Sequence, residues 1–265
     1  MRHPLPAIVR PPTNAKRPLA SAALAVVRLV CVSAVVLYGT ITMLCWFGWC
    51  TPKVQQLLVQ RWAQRVLRAL GLRIHTQGRR PLRGPLLMVA NHVSWLDIVA
   101  LHATGYCRFV AKDDVQRWPV VGWLARRAGT LFLARSTRRD AMRIVQVMHD
   151  CLTQQQIVAI FPEGTTGDGR TVLPFHANLL QAAIDTDAPM QPIGLRYGQP
   201  GQPDSPAASF VGNDTLVSSL WRVASAQGLS VTVIHGRPER ALGRSRHEMA
   251  AALRQRIQSL RQSDT

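Results

Sequence analysis

The chain has 265 residues, which is enough for one large domain or two small ones with a substantial core. Its 32 basic and 14 acidic residues give a formal net charge of +18, which favours an anionic partner: a nucleic acid, an acidic membrane surface or a phosphorylated substrate. The five cysteines are odd in number and form no C-x-x-C pair, which argues against a disulfide framework and a cysteine zinc site and favours a reducing compartment.

The N-terminal part of the chain is predicted to attach the protein to a membrane. Residues 1–18 are basic and rich in proline, and we predict a disordered tail there. Residues 29–50 then carry no charge over 22 positions, which is long enough to cross a bilayer once. Residues typical of a membrane interface flank this run: Arg28, Trp46, Trp49 and Lys53. We therefore predict a membrane anchor over residues 19–52.

Three alternatives to a spanning anchor stay open. A cleaved signal peptide is less favoured, because the apolar run is longer than that of a usual signal and no small-x-small site follows it. The segment can also form a re-entrant hairpin that turns near Gly39 and Thr40, or a purely internal core helix. Basic residues are slightly more numerous after the run than before it, which predicts an inner-membrane protein with its main domain in the cytoplasm.

Residues 53–72 are predicted to form an amphipathic helix. Apolar residues recur at steps of three and four, whereas glutamine and arginine fill the other side. A basic polar face, with Trp62 on the apolar side, suits a helix that lies at the interface of an anionic membrane. A surface helix packed on the main domain explains the same pattern, and both interpretations stay open.

Residues 73–265 are predicted to form the main domain, with an α/β fold. Apolar runs typical of strands occur at residues 72–76, 86–90, 108–111, 130–134, 156–161, 190–197 and 230–235. Helices are predicted after Asp97, near Trp123, and over residues 137–154, 177–185 and 244–261. This alternation predicts a mixed, mostly parallel sheet flanked by helices.

The segment NHVSWLD, residues 91–97, lies where a predicted strand ends and a helix begins. Reactive groups are common at this point of an α/β domain. A neutral imidazole such as that of His92 can remove a proton from an alcohol, and a carboxylate such as Asp97 can fix its tautomer and stabilise the imidazolium. Ser94 and Asp97 also fit a helix capping box, so capping is the alternative to catalysis here.

Three further segments place polar or turn-forming residues at strand ends. In GTLFLAR, residues 129–135, Arg135 ends a strand and can grip a phosphate in a bidentate way, although an ordinary surface arginine explains it too. In FPEGTT, residues 161–166, proline and glycine force a turn that displays Glu163. In QPIG, residues 191–194, another strand begins.

Together and in this order, the four segments resemble those of the glycerophospholipid acyltransferase family, whose best-known members are 1-acylglycerol-3-phosphate acyltransferases. The resemblance covers about residues 80–200. It implies an α/β catalytic domain that follows a membrane-anchoring helical segment. It also implies an enzyme that moves a fatty acyl group from a thioester of coenzyme A or of acyl carrier protein to a lysolipid hydroxyl, with no metal and no prosthetic group. The expected partners are therefore a lysolipid, the acyl thioester and an anionic membrane.

The resemblance further implies roles for single residues. His92 would be the general base with Asp97 as its partner, Arg135 would bind the acceptor's phosphate or a similar head group, and Pro192 would lie near the acyl chain. No G-x-S-x-G motif and no cysteine near His92 offers a covalent nucleophile, so we expect the acceptor hydroxyl to attack the thioester directly. Backbone amides at the helix start after His92 or in the Gly164 turn would stabilise the oxyanion.

The acceptor site would be shaped by Glu163 and Gly164, together with Thr165 and Thr166. Many family members that use lysophosphatidic acid carry an arginine after FPEGT, where this chain has Thr166. Either Arg170 replaces that phosphate ligand, or the acceptor is a lyso-ornithine lipid, whose head group carries no phosphate. We expect a lysophospholipid such as 1-acylglycerol-3-phosphate, with lyso-ornithine lipid as the alternative.

Two other functional classes fit less well. A membrane-tethered nucleic-acid-binding protein is suggested by charge alone, because no nucleic-acid motif is present and aromatic residues make up 6% of the chain. An inactive scaffold of the same fold is disfavoured because His92 and Asp97 are both present.

Overall fold

The computed structural model describes residues 18–118, 120–133 and 138–262, so the predicted tail lies almost wholly outside the described residues. The described chain begins with a long helix, α1 (Pro18–Cys45), followed by a 3-10 turn (Phe47–Trp49) and helix α2 (Pro52–Ala69). Helix α1 continues through Gly39 and Thr40 without a turn, so the re-entrant hairpin is wrong.

In the described part of the chain, seven strands form one sheet in the spatial order β1-β7-β6-β2-β5-β3-β4. Their bounds are β1 (Arg73–Gly78), β2 (Leu86–Ala90), β3 (Arg108–Lys112), β4 (Leu131–Leu133), β5 (Ile157–Ile160), β6 (Met190–Gly198) and β7 (Ser230–His235). Only the β6–β7 pair is antiparallel among these strands. The prediction of a mixed, mostly parallel sheet flanked by helices is confirmed, and every predicted strand is present to within two residues at either end.

The remaining helices are α3 (Leu96–Thr104), α4 (Asp113–Gln116), α5 (Val121–Arg127), α6 (Arg138–Thr153), α7 (Gln181–Asp185), α8 (Leu216–Ser225) and α9 (Arg246–Gln262), and a 3-10 turn (Ala177–Leu180) precedes α7. Neither α4 nor α8 was predicted from the sequence. Helix α8 starts at a capping box in which Thr215 and Ser218 bond reciprocally. The usual signature has a glutamate or glutamine at the third position, so a serine there hides the start of the helix.

The core has one cluster on each face of the sheet. Leu86, Met88 and Ala90 of β2 face the cluster that α1, α2, α3 and α8 cover. Leu87 and Val89 face the other cluster, which α6, α7 and α9 cover. Because successive strand residues point to opposite faces, β2 is apolar at every position and is buried at the centre of the sheet.

Helix α2 packs on the protein along most of its apolar face. Val59, Ala63 and Val66 are buried, and the helix contacts α1 and α3. Val54 and Leu57, near its start, remain exposed. The later turns of α2 therefore form a surface helix packed on the main domain. For its first turns, contact with membrane lipid stays a prediction.

Helix α1 is exposed along much of its length. Its segment Ser21–Cys45 is apolar and long enough to cross a membrane, and only 17% of the most apolar window is buried. That low burial argues against the interpretation of a purely internal core helix.

Candidate active site

The loop between β2 and α3 carries the predicted reactive pair at the carboxyl end of the central strand. The Nδ1 of His92 lies 2.8 Å from the Oδ2 of Asp97. The side chain of His92 is 19% exposed, whereas that of Asp97 is fully buried. An ionised Asp97 accepts a hydrogen bond from Nδ1–H, so the Nε2 lone pair remains for a substrate proton. The structure therefore brings the two residues together as the sequence predicts.

Asp97 is a hydrogen-bonding centre for the whole loop. Its Oδ2 also accepts hydrogen bonds from the backbone amides of Val93, at 2.7 Å, and Ser94, at 2.9 Å. Its Oδ1 accepts one from the hydroxyl of Tyr197, at 2.7 Å. Four donors compensate a buried charge that would otherwise be costly. The carboxylate is thus fixed in position.

The capping box for this segment forms only in part, because Asp97 accepts the amide of Ser94 but the hydroxyl of Ser94 does not return the bond. The hydroxyl of Ser94 is buried and has no hydrogen-bond partner among the described residues, and α3 has no side-chain cap. Asp97 also accepts the amide of Val93 and contacts the imidazole of His92, so it does more than cap the helix. The carboxylate therefore organises the loop and holds the imidazole at the same time.

The imidazole of His92 is also held by aromatic stacking, which sequence reasoning missed. The rings of His92 and Phe161 are stacked, with centroids 4.1 Å apart and planes 12° apart. Phe109 stacks behind Phe161 at 5.9 Å. Phe161 stands in the recognised FPEGTT segment, but a phenylalanine before a turn gives no sign of which ring it will cover. The stack fixes the plane of the imidazole and shields one of its faces from water.

Glu163 supports the backbone of the same loop. Its Oε1 accepts a hydrogen bond from the amide of His92 at 2.7 Å, and its Oε2 accepts one from the amide of Leu173 at 2.8 Å. Burial raises the pKa of Glu163, while the two amide bonds oppose that rise. Glu163 therefore ties the FPEGTT turn to the His92 loop.

The turn after Glu163 is built by glycine and threonine. Gly164 has φ of +71°, a left-handed conformation that glycine adopts easily, and its amide donates to the carbonyl of Phe161. Thr165 is exposed. The hydroxyl of Thr166 donates to the carbonyl of Phe210, so it is engaged inside the protein.

Several backbone amides expected to stabilise an oxyanion already have acceptors. Those of Val93 and Ser94 donate to Asp97, and that of Gly164 donates to Phe161. These three amides are therefore not free to receive a developing negative charge.

Three further predicted residues have different outcomes. Arg135 lies outside the described residues. Arg170 is exposed, and its backbone amide bonds to the carboxylate of Asp168. Pro192 is buried in β6 beside Val89 of β2, so it belongs to the centre of the sheet.

Tyr197 and Asn91 are site residues that sequence reasoning missed. Tyr197 projects from β6 towards Asp97. The side chain of Asn91 bonds to both the amide and the carbonyl of Leu195, which ties the end of β2 to β6. The predicted strand over residues 190–197 contained Tyr197, but its alignment with β2 could not be read from local sequence.

Comparison with known proteins gives consistent results. The family model named Acyltransferase matches residues 71–196. The chain is 37% identical to a lyso-ornithine lipid O-acyltransferase of Pseudomonas aeruginosa over 207 residues, which is 78% of this chain and 79% of that protein. It is also 37% identical to a 1-acyl-sn-glycerol-3-phosphate acyltransferase of Neisseria meningitidis over 186 residues, covering 69% of this chain and 71% of that one.

A solved structure shares the fold. The crystal structure of a 1-acyl-sn-glycerophosphate acyltransferase from Thermotoga maritima superposes with a TM-score of 0.66 at 18% identity. The match covers 94% of this chain and 100% of that chain, so it includes the N-terminal helices as well as the sheet.

Proposed function

Since this chain belongs to the acyltransferase family and is an acyltransferase of the lysolipid-acylating type, we propose that it uses His92 as a general base to acylate a free hydroxyl of a lysolipid. The acyl donor is a thioester of coenzyme A or of acyl carrier protein. The observation that carries the proposal is the pair itself: a fully buried Asp97 lies 2.8 Å from the Nδ1 of a His92 whose side chain is 19% exposed. That arrangement leaves Nε2 as an oriented base.

The proposed reaction has two steps. The acceptor oxygen attacks the carbonyl carbon of the thioester while its proton passes to Nε2 of His92, and Asp97 stabilises the imidazolium. The tetrahedral intermediate then collapses, the carbon–sulfur bond breaks, and the proton on His92 passes to the leaving thiolate. The products are an ester and a free thiol, so the balance needs no further reactant.

For the acceptor, the surroundings of Thr166 support lyso-ornithine lipid. This position carries an arginine in many lysophosphatidic acid enzymes of the family, whereas here its hydroxyl is engaged with the carbonyl of Phe210. A second candidate is 1-acylglycerol-3-phosphate, supported by the exposed Arg170 four residues later. Arg135 remains the proposed head-group ligand, and Glu163, Gly164 and Thr165 the proposed frame of the acceptor site.

For the location, we propose attachment to the inner membrane with the catalytic domain on the cytoplasmic side. The exposed apolar surface of α1 supports membrane attachment. The slight excess of basic residues after the apolar run supports the orientation.

The test is acyl transfer by the purified full-length protein from labelled acyl-coenzyme A and from labelled acyl carrier protein. Lyso-ornithine lipid and lysophosphatidic acid are offered side by side. His92→Ala should lose roughly 10²–10⁴-fold in kcat while keeping the thermal transition of the wild type. Wild-type turnover in that variant would show that His92 is not the general base. Transfer only to lysophosphatidic acid would reject the lyso-ornithine assignment and leave the mechanism standing.

A further inference from the structure

Helix α8 leaves two large apolar side chains open to solvent. Val217 is 77% exposed and Trp221 is 44% exposed, and they lie one helical turn apart on the same face. The opposite face is buried in the protein through Ser219 and Val223. Val217 and Trp221 therefore form an exposed apolar patch that no described part of the protein covers.

Helix α1 is fastened to the end of α8. The guanidinium of Arg28 donates to the carbonyls of Ala224, at 2.9 Å, and Ala226, at 2.5 Å. These carbonyls belong to the last turn and the C-cap of α8, where a positive charge also complements the helix dipole. The contact fixes the position of α8 relative to the apolar helix.

Helix α1 also lies along the domain beyond Arg28. The indole of Trp62 in α2 donates to the carbonyl of Val35 at 3.2 Å, so α1 is held over at least two of its turns. Its other side exposes apolar residues that include Val26, Val27 and Val30. A bilayer that receives this exposed side must therefore come close to the surface of the domain next to α1, which is where α8 lies.

Helix α8 touches the catalytic loop as well. Its Ser219 accepts a hydrogen bond at 3.1 Å from the indole of Trp95, which follows His92 by three residues. Phe210, in the segment leading to α8, donates its amide to the carbonyl of Val93 at 3.0 Å. The helix thus lies between the apolar helix and the loop that carries His92.

We propose that α8 is a second membrane-contact element, in which Val217 and Trp221 insert into the lipid surface beside α1. This inference rests on the membrane attachment proposed above. Apolar side chains on one face of a short helix suit the boundary between head groups and acyl chains, and tryptophan favours that boundary. The contact places the catalytic loop at the lipid surface, so that a lysolipid hydroxyl reaches His92 while its acyl chain stays in the bilayer.

The first experiment measures the contact directly. Val217→Cys is prepared in a full-length background in which Cys31, Cys45 and Cys50 are serine, and it carries a fluorophore sensitive to polarity. The remaining cysteines are buried. Vesicles of phosphatidylethanolamine and phosphatidylglycerol should shift the emission to the blue. Leu242→Cys, an exposed site beside the α9 face of the sheet, is the control and should not shift. Equal behaviour of the two labels would overturn the proposal.

The second experiment measures the consequence for catalysis. The double variant Val217→Gln/Trp221→Gln should raise the apparent KM for an acceptor embedded in vesicles by on the order of tenfold. The KM for a short-chain, water-soluble form of the same acceptor should stay unchanged. The matched control is Leu82→Gln/Leu242→Gln, which replaces two exposed apolar side chains outside α8. Equal KM values for the two double variants on vesicles would reject the role of α8.

The two experiments separate this inference from the proposed function. An absence of acyl transfer to every acceptor would reject the proposed function, while the emission of the label at position 217 still decides whether α8 meets lipid.

Discussion

The hydroxyl of Tyr197 donates a 2.7 Å hydrogen bond to Oδ1 of Asp97, a residue 100 positions earlier in the chain. The other oxygen of that carboxylate, Oδ2, lies within hydrogen-bond distance of Nδ1 of His92. Burial, and then the neighbouring charge of Asp97, raises the pKa of Tyr197 well above its usual range. Tyr197 therefore remains a proton donor, and the central sheet positions the carboxylate that orients the base.

Tyr197→Phe should weaken catalysis through the base. Without the hydroxyl, the Asp97 carboxylate loses one donor and attracts the proton of the imidazole more strongly, so the acidic limb of the kcat/KM profile should move to higher pH. Stability should fall by about 1–3 kcal/mol. The control is Tyr106→Phe. The hydroxyl that this substitution removes donates to the carbonyl of Ala128, away from His92 and Asp97, so the acidic limb of the profile should stay in place. Identical pH profiles for the two variants would contradict the assigned positioning role.

Asp97→Asn should be more damaging to activity. The amide keeps the shape of the carboxylate but removes the charge that stabilises the imidazolium, and its NH₂ group must face one of the present donors. We expect kcat to fall by roughly 10³-fold. Steady-state kinetics and a thermal melt check this, and a variant with more than a tenth of wild-type kcat would show that Asp97 only shapes the loop.

Glu163→Gln should lower activity while changing the free energy of unfolding only slightly. Glutamine has one acceptor oxygen, so the backbone amide of either His92 or Leu173 loses its side-chain acceptor. Burial raises the pKa of Glu163, so removing the buried charge offsets part of the lost hydrogen bond, and we expect a stability change under about 1 kcal/mol. The displaced loop should lower kcat roughly tenfold.

The control for that experiment is Glu239→Gln. This substitution removes a carboxylate that is paired with Arg244, just before α9, and with Arg256 on α9. Its kcat should match the wild type. A Glu163→Gln enzyme with wild-type kcat would remove Glu163 from the support of the site.

Thr166→Val should loosen the segment that leads to α8. The substitution keeps the side-chain volume but removes the hydroxyl that donates to the carbonyl of Phe210. Urea unfolding should show a loss of about 1 kcal/mol. The adjacent Thr165 is exposed, and Thr165→Val should stay within about 0.5 kcal/mol of the wild type. Equal stability of both variants would show that the Thr166 bond contributes nothing.

His102 should make the fold sensitive to mild acid. Burial, with the charge of Arg80 adding to it, lowers the pKa of His102 from 6.5 to about 3. The folded chain keeps this imidazole neutral, whereas the unfolded chain takes up a proton below pH 6.5, so stability is lost as the pH falls from about 6.5 towards about 3. Between pH 7 and pH 5 the loss from this residue should be about 2 kcal/mol.

The measurement for His102 is the free energy of unfolding in urea at pH 7 and pH 5 for the wild type and His102→Leu. The variant should lose about 2 kcal/mol less across that interval. His235, whose pKa burial lowers to about 4, contributes a similar loss to both proteins and cancels in the comparison. An equal loss in the two proteins would show that His102 does not titrate in this way.

Much of the fold followed from local patterns. The apolar run at residues 86–90 predicted β2 with its bounds, because a strand buried on both faces needs an apolar residue at every position. The pairing of His92 with Asp97 was also within reach, since both residues stand in one short loop where a strand gives way to a helix. Helix α8 was not predicted, because its capping box has Ser218 at the third helical position, where glutamate is the usual residue.

The sequence by itself determined the strands, most of the helices and the reactive pair, because each of these depends on residues within a few positions of one another. Tertiary structure alone decided that Tyr197 meets Asp97, that Phe161 stacks on His92 and that α8 joins α1 to the catalytic loop. These contacts depend on which strands pair and in what register. That choice is made by packing of the whole core, which brings together residues that are far apart in the chain.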